Sequence, residues 1–312
     1  MKLIAPAYYP RFRCLAGACS HTCCRGWEID VDDAALSRYE QVGGSLGDKL
    51  RRAVDRTGDA PHFRLDQQEN CPFLTKDGLC ELILHLGEDS LCQVCADHPR
   101  YRGFLTDRTE IGLGLCCEAA ARLILTWPEN VDLITLEDDG GDEAPTAEER
   151  AFLALRERLM AVAQDRRRPI LARVDALEGM SGIPLPWDAL PRWAELLLTL
   201  ERLDEAWTRR LNGLLDGPPP AEGLSPEWDA PLEQLLVCLM YRHLTGALED
   251  GDASGRLAFA VLGWKLMAAL FLREKSRTMD ALVETVRLWA SEIEYSDENT
   301  AALLDALDEG GL

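Results

Sequence analysis

Thr278-Met279-Asp-Ala-Leu282-Val283-Glu-Thr-Val286-Arg-Leu-Trp289-Ala-Ser-Glu-Ile293 is the stretch that decides the fold class. Its apolar residues, Met279, Leu282, Val283, Val286, Trp289 and Ile293, recur every three to four positions, the stripe of an amphipathic helix. The helix follows Thr278. Downstream, Ser296 reads as the cap of a last helix, with Asp297 and Glu298 in its favourable first turn. Upstream the same grammar repeats, broken at Asp250 to Ser254, at Gly217-Pro218-Pro219-Pro220 and at Gly179 to Pro186. Proline lacks the N–H a helix interior needs, so Pro219-Pro220 ends one. The run from Leu257 to Leu272 holds Lys265 and is short for a membrane span, so it reads as a buried helix. Thr146 with Glu149 forms a capping-box signature and predicts a helix to about Arg166. No strong period-two alternation and no internal repeat is visible. The class is mainly α.

Before Thr146 lies an acidic, glycine-rich break, Glu137 to Pro145, which places a boundary between residues 1–136 and 137–312, or a subdomain boundary within one continuous fold. Leu113 to Trp127 reads as a helix stopped by Pro128. The rest of the N-terminal third has short apolar runs broken by Gly, Pro and Cys. The expected architecture is an irregular Cys-rich metal-binding N-terminal region packed on a C-terminal helical bundle.

The chain has 312 residues and is 47% hydrophobic, enough for a sizeable core. Its 33 basic and 54 acidic residues give a net charge of −21. Such an excess argues against nucleic acid or an anionic membrane as partner, since both need cationic patches. No leader with a long apolar stretch and a cleavage site opens the sequence, which points to the cytoplasm and a reducing compartment. There, cysteines serve ligation rather than disulfides.

Ten of the eleven cysteines fall in the first 117 residues. They form four strings. The first is Phe12-Arg-Cys14-Leu-Ala-Gly-Ala-Cys19-Ser-His-Thr-Cys23-Cys24-Arg-Gly-Trp27. The second is Cys71-Pro-Phe-Leu-Thr-Lys-Asp-Gly-Leu-Cys80. The third is Leu91-Cys92-Gln-Val-Cys95-Ala-Asp-His-Pro99-Arg100-Tyr101, and the fourth is Leu115-Cys116-Cys117-Glu-Ala-Ala-Ala-Arg122. Short loops that each deliver two sulfurs to one point suit a soft cation or an iron–sulfur cluster. Spacing leaves zinc and iron–sulfur both open. Cys23 and Cys24 are adjacent, so their side chains are expected to diverge rather than bind one atom. His21 reads as a loop residue, and Trp27 as a lid or core residue over a small metal site. The Cys-x3-Cys-x2-Cys spacing of radical S-adenosylmethionine enzymes is absent, and no Gly-x-Gly-x-x-Gly follows a strand.

Together these strings resemble the flagellin lysine N-methylase (FliB) family and the broader Cys-x-x-Cys-x-x-Cys-Cys group of iron or zinc chelators. Two further segments extend the resemblance: Leu232-Glu-Gln-Leu-Leu-Val-Cys-Leu-Met-Tyr241-Arg242-His243, and Ser291-Glu292-Ile-Glu294-Tyr295-Ser296-Asp-Glu-Asn299. Two features depart from the family. Tyr295 stands where members usually carry His, and the chain is shorter than typical members after residue 137.

The family pattern falls on Cys14, Cys19, Cys23, Cys24, Cys71, Cys80, Cys95 and Cys117, and asks for no cysteine at Cys92, Cys116 or Cys238. The resemblance implies a [4Fe–4S] cluster, for which four thiolates suffice, so the eight could serve two sites or one site plus structural thiols; it also implies methyl transfer from S-adenosylmethionine to lysine amines of flagellin. Such a reaction needs a proton acceptor and contacts for a sulfonium, for which Glu292, Glu294 and Tyr295 are the candidates. Arg100 and Tyr101 are the cofactor-binding candidates, Arg100 through a bidentate contact to a carboxylate. Tyr241, Arg242 and His243 read either as functional or as part of the core seam. Two rival readings stand beside the enzyme. One is a non-catalytic, zinc- or iron-stabilised protein-binding adaptor. The other is a metal chaperone or redox sensor with exposed thiols at Cys92 and Cys116.

Overall fold

The computed structural model describes residues 1–58, 60–141 and 143–311, so within the acidic break only Asp142 lies outside the described residues. The chain is mainly helical with a few strands, and divides into two compact units: Arg13–Arg100, and Met1–Phe12 together with Tyr101–Leu312.

In chain order the strands are β1 (Lys2–Pro6), β2 (Val54–Asp55), β3 (His62–Phe63), β4 (Arg100–Phe104), β5 (Arg108–Leu113) and β6 (Leu133–Asp138). The helices are α1 (Asp33–Gln41), α2 (Gly44–Ala53), α3 (Glu81–Leu86), α4 (Gln93–Asp97), α5 (Glu118–Leu125), α6 (Ala147–Ala163), α7 (Ile170–Ser181), α8 (Leu190–Thr199), α9 (Glu205–Leu214), α10 (Asp229–His243), α11 (Ala247–Asp250), α12 (Ala253–Leu272), α13 (Met279–Trp289) and α14 (Asp297–Asp308).

The larger unit is built around α12, in which every residue from Leu257 to Leu272 is buried. It packs against α7, α9, α10, α13 and α14. Trp264 Nε1 of α12 donates to Leu232 O of α10 at 2.8 Å, so this indole is both buried and satisfied. Gly263 lets Trp289 approach: a Cβ there would stand 2.8 Å from the indole. By length and composition α12 is long and apolar enough to cross a membrane, but 94% of its apolar window is buried inside the fold. Lys265 within it is held by Glu178 and by Leu185 O.

The helix starts follow the sequence. Thr146 and Glu149 form a complete capping box, Thr278 accepts from Ala281 N, and Ser296 accepts from Asn299 N. The helix expected to reach Arg166 ends at Ala163, and the one expected from Leu113 to Trp127 is shortened to α5.

The main difference from expectation is a four-stranded sheet ordered β4-β5-β1-β6. β1 runs parallel to β5 and antiparallel to β6, with Lys2 paired to both Arg108 and Asp138. Those pairings tie residues 1–12 and 101–138 into the same unit as the helices. The division therefore falls at Arg13 and Arg100, and the expected boundary at 136/137 lies at the end of β6 inside one unit. Glu110 of β5 and Arg156 of α6 close the sheet onto the helices through a buried bidentate pair, both bonds 2.6 Å.

The smaller unit has only short elements. Its core comprises Ile29, Val31, Ala35, Tyr39, Leu50, Ala53, Val54, Phe63, Phe73 and Leu82, with the thiols of Cys71 and Cys92 completing it. Tyr39, Phe63 and Phe73 form a short aromatic row, with ring centroids 6.0 and 5.0 Å apart.

Candidate functional site

In the smaller unit the backbone folds the cysteine strings onto one another. Cys71 N donates to Cys24 O at 2.8 Å, and Leu74 faces Cys80 across an isolated bridge. Asp32 holds the third string: one carboxylate oxygen caps α1 by accepting from Ala35 N at 2.9 Å, while the other accepts from Gln93 N at 2.7 Å. Residue Cys92 is thereby fixed as the N-cap of α4, one turn before Cys95. Cys24, Cys80 and Cys95 pack partly buried against the apolar cluster that contains Cys71 and Cys92.

The titration behaviour of these thiols reflects their crowding. Burial pushes Cys71 up to about 12, and charge at Cys24, Cys80 and Cys92 adds to the effect. Burial also raises Cys80, with Cys24 and Cys92 contributing. A direct side-chain hydrogen bond joins Cys92 and Cys95, lowering the first and raising the second. A second one, between Cys23 and Cys24, brings Cys24 down to about 7.

Five thiols therefore share one apolar cluster, Cys71 and Cys92 inside it and Cys24, Cys80 and Cys95 against it. Among the described residues no group of three or more His, Cys, Asp and Glu side chains closes onto a point that holds a metal ion. The sulfurs are gathered but not drawn together. Soft, partly buried sulfur donors fit the thiophilic group the family implies, and thiols that titrate high release protons when such a group binds.

Other expected ligands stand differently. Cys14 is exposed, its sulfur accepting from Ala16 N at 3.3 Å. Cys19 Sγ donates to His21 O at 2.9 Å within its own loop. Cys117 belongs to the larger unit, at the N-cap of α5. Trp27 packs against the thiol-bearing cluster and donates to Cys23 O at 2.7 Å. The exposed thiol expected at Cys92 is corrected: it is 0% exposed, because α1 and the Asp32 cap carry it into the core.

The larger unit holds a second polar centre. The Arg242 guanidinium lies between two rings, 4.8 Å from the Tyr101 centroid and 5.0 Å from that of Tyr295. It donates to Glu294 O at 3.0 Å, and its Nε is 3.7 Å from Glu294 Oε2. Nε2 of His243 meets Glu294 Oε1 at 2.9 Å. Burial works against the Glu294 charge, but Arg242 and His243 outweigh it and hold its carboxyl below the usual range. For His243 burial wins over Glu294, and its pKa is lowered, leaving a neutral imidazole. The segment Ala290–Glu294 is a π-helical turn, a form concentrated at functional sites.

The three expected catalytic residues part ways here. Glu292 is buried and accepts from Leu203 N at 2.9 Å and Asp204 N at 2.7 Å, anchoring that loop. Glu294 is committed to Arg242 and His243. Tyr295 alone keeps 48% of its surface exposed, and burial with the neighbouring Cys116 raises its phenol above the ordinary range. Nor does the expected cofactor pair act together. Arg100 donates to Ala96 O at 3.3 Å and His98 O at 3.5 Å, whereas Tyr101 stacks on Arg242. A cleft of about 230 Å³ opens beside this centre, lined by Tyr101, Glu110, Tyr241, Arg242, Thr245 and Glu249 among others.

Comparison with known proteins covers part of the chain. A segment of 134 residues, 41% of this chain, is 27% identical to the "Flagellar biosynthetic protein FliU" of Salmonella muenchen and covers 79% of it. Over the same length the chain is 28% identical to the "Lysine-N-methylase" of Salmonella typhimurium, covering 33% of that protein, and equally to that of Salmonella choleraesuis. The chain is related to the flagellin lysine N-methylase family. It thus spans a third of the length of the curated methylases it matches. No family model matches the chain, and no solved structure does.

Proposed function

We propose that the chain is an S-adenosylmethionine-using protein-lysine N-methyltransferase that carries a [4Fe–4S] cluster and acts on flagellin. The match to two lysine-N-methylases carries the reaction class, and the match to a flagellar biosynthetic protein supports the substrate. Support for the cofactor comes from the thiols that pack in and against the core of the smaller unit. Of the family's set, Cys24, Cys71, Cys80 and Cys95 would hold the cluster, which would supply redox or Lewis-acid chemistry at sulfur-ligated iron.

The chain's own residues supply the rest. Tyr295, half exposed, offers a phenol and a ring face to an ammonium-bearing substrate. Glu294 neutralises Arg242 beneath it, so the cation does not repel the incoming lysine. Glu292 sets the loop at Leu203–Asp204 and thereby the turn that carries Glu294 and Tyr295.

The test is intact-mass analysis of flagellin incubated with S-adenosylmethionine and protein purified without oxygen. A mass gain of one or more methyl groups on lysine is expected, lost when Cys71 becomes Ser. Brown protein that binds flagellin yet leaves its mass unchanged would favour the adaptor reading instead.

A further inference from the structure

The cleft beside the Arg242 centre is lined by two side chains whose hydrogen-bonding capacity the fold does not use. The Tyr241 hydroxyl and Arg242 Nη1 are buried, and among the described residues neither has a partner. Tyr241 is 4% exposed, and burial raises its phenol above the ordinary range, so it stays protonated and can donate. Arg242 donates from Nη2 to Glu294 O and holds its Nε 3.7 Å from the Glu294 carboxylate, which leaves Nη1 over. A buried donor left unmade carries its full desolvation penalty, largest for a charged group.

The space beside them exceeds what one water fills. It measures about 230 Å³, where a water needs about 10–15 Å³. Tyr101, the exposed Phe104 at the end of β4, and Leu248 and Glu249 of α11 form other parts of its wall. Tyr101 contributes its ring rather than its hydroxyl, which lies against β5: a Cβ on Gly112 would stand 2.3 Å from it.

The charges around the cleft cancel. Arg102, Arg242 and Arg156 stand against Glu110, Glu249 and Glu294, with Arg156 paired to Glu110 and Arg242 to Glu294. A ligand of net charge gains little from such a set, whereas one that carries both signs can meet each. An anionic acceptor fits the two donors, through charge-assisted bonds. The exposed carboxylate of Glu249 offers the place for a cation.

We propose that this cleft binds a small amino-acid zwitterion, its carboxylate accepting from Arg242 Nη1 and the Tyr241 hydroxyl, its ammonium facing Glu249 and its side chain lying along Tyr101 and Phe104. Every residue of the site belongs to the larger unit, so the proposal does not depend on the thiols or on a cluster. A free amino acid and the amino-acid end of S-adenosylmethionine present the same group.

The test is calorimetric titration of the 312-residue chain with L-methionine, L-leucine and S-adenosylmethionine. Two controls, 4-(methylthio)butyrate and 3-(methylthio)propylamine, each keep one of the two charges. At least one zwitterion is expected to bind, about tenfold or more tightly than either control. Binding of the free amino acids assigns the cleft to them; binding of S-adenosylmethionine alone assigns it to that larger molecule. Tyr241→Phe removes only the hydroxyl and should weaken binding about tenfold. Its urea midpoint without ligand should match wild type, because that hydroxyl bonds nothing within the fold. Glu249→Gln, at the surface, should weaken the zwitterion and leave the butyrate unchanged.

Three results would overturn the proposal. One is the absence of binding by any zwitterion at millimolar concentration. Another is a control that binds as tightly as the zwitterions. The third is a Tyr241→Phe chain that binds as wild type does, or that loses stability with no ligand present.

Discussion

The two units solve the same problem with different materials. The larger one buries Trp193, Trp207, Trp264 and Trp289 around a 20-residue helix, and its apolar contacts suffice to hold it. The smaller one has helices of ten residues or fewer, two-residue strands, and a small core in which two thiols sit among aliphatic and aromatic side chains. So thin a core suits a fold whose binding energy to a metal is also folding energy. The contrast explains why acidic, Leu-rich sequence and Cys-rich sequence coexist in one chain.

The largest expected effect tests that contrast directly. On the proposed metal-bearing reading, a chelator, or Cys71→Ser, should unfold Arg13–Arg100 and leave the larger unit folded. Hydrogen exchange would then show loss of amide protection in α1 and α2 but not in α10 or α12. Equal protection with and without metal would show that the smaller unit stands on its apolar core.

Next in size is a break in the larger unit. Glu233 is fully buried between Arg173, 1% exposed, and Arg166. Glu233→Ala leaves the Arg173 charge buried and unpaired, at a cost of about 3–5 kcal/mol. Urea unfolding should register this in the larger unit, with metal content unchanged.

Acid should also weaken the larger unit. His243 titrates below its ordinary range in the fold, chiefly through burial. The unfolded chain therefore binds a proton that the folded chain refuses. The stability contributed is present above the unfolded pKa of about 6.5 and is lost as pH falls below it, by up to about 1.4 kcal/mol per pH unit. Glu294, also held low, adds a loss in the same direction only below about pH 4.3. Thermal unfolding between pH 7 and 5.5 should show the slope in wild type and a flatter one in His243→Gln.

The smallest effect concerns a cap. Thr146→Ala removes the side chain that accepts from Glu149 N at 3.1 Å and should cost about 1 kcal/mol, measured as a lower urea midpoint.

The helices were legible because their signals are local. Thr146 with Glu149, Thr278 and Ser296 each satisfy a backbone N–H within three residues, so position in the chain predicts the partner. The sheet was not legible: β1 is a short run ending in proline, and half of its pairing is parallel, to residues more than a hundred positions away. Glu292 and Glu294 looked alike on a helix end, yet one anchors a backbone loop and the other neutralises a buried arginine. Nothing within a few residues of either distinguishes them.

From the sequence alone came the mainly helical class, the helix starts, the apolar helix at 257–272, the clustering of thiols in the first 117 residues and the resemblance to lysine N-methylases. Only the tertiary structure decided which thiols enter the smaller unit's core, with Cys71 and Cys92 in it, Cys24, Cys80 and Cys95 on its margin and Cys14 exposed, and that Arg242 rests between Tyr101 and Tyr295. Capping and helical periodicity act over a few residues and are written in order along the chain. Convergence of side chains from distant strings depends on pairings such as Cys71 with Cys24 and Gln93 with Asp32, which exist only once the chain has closed on itself.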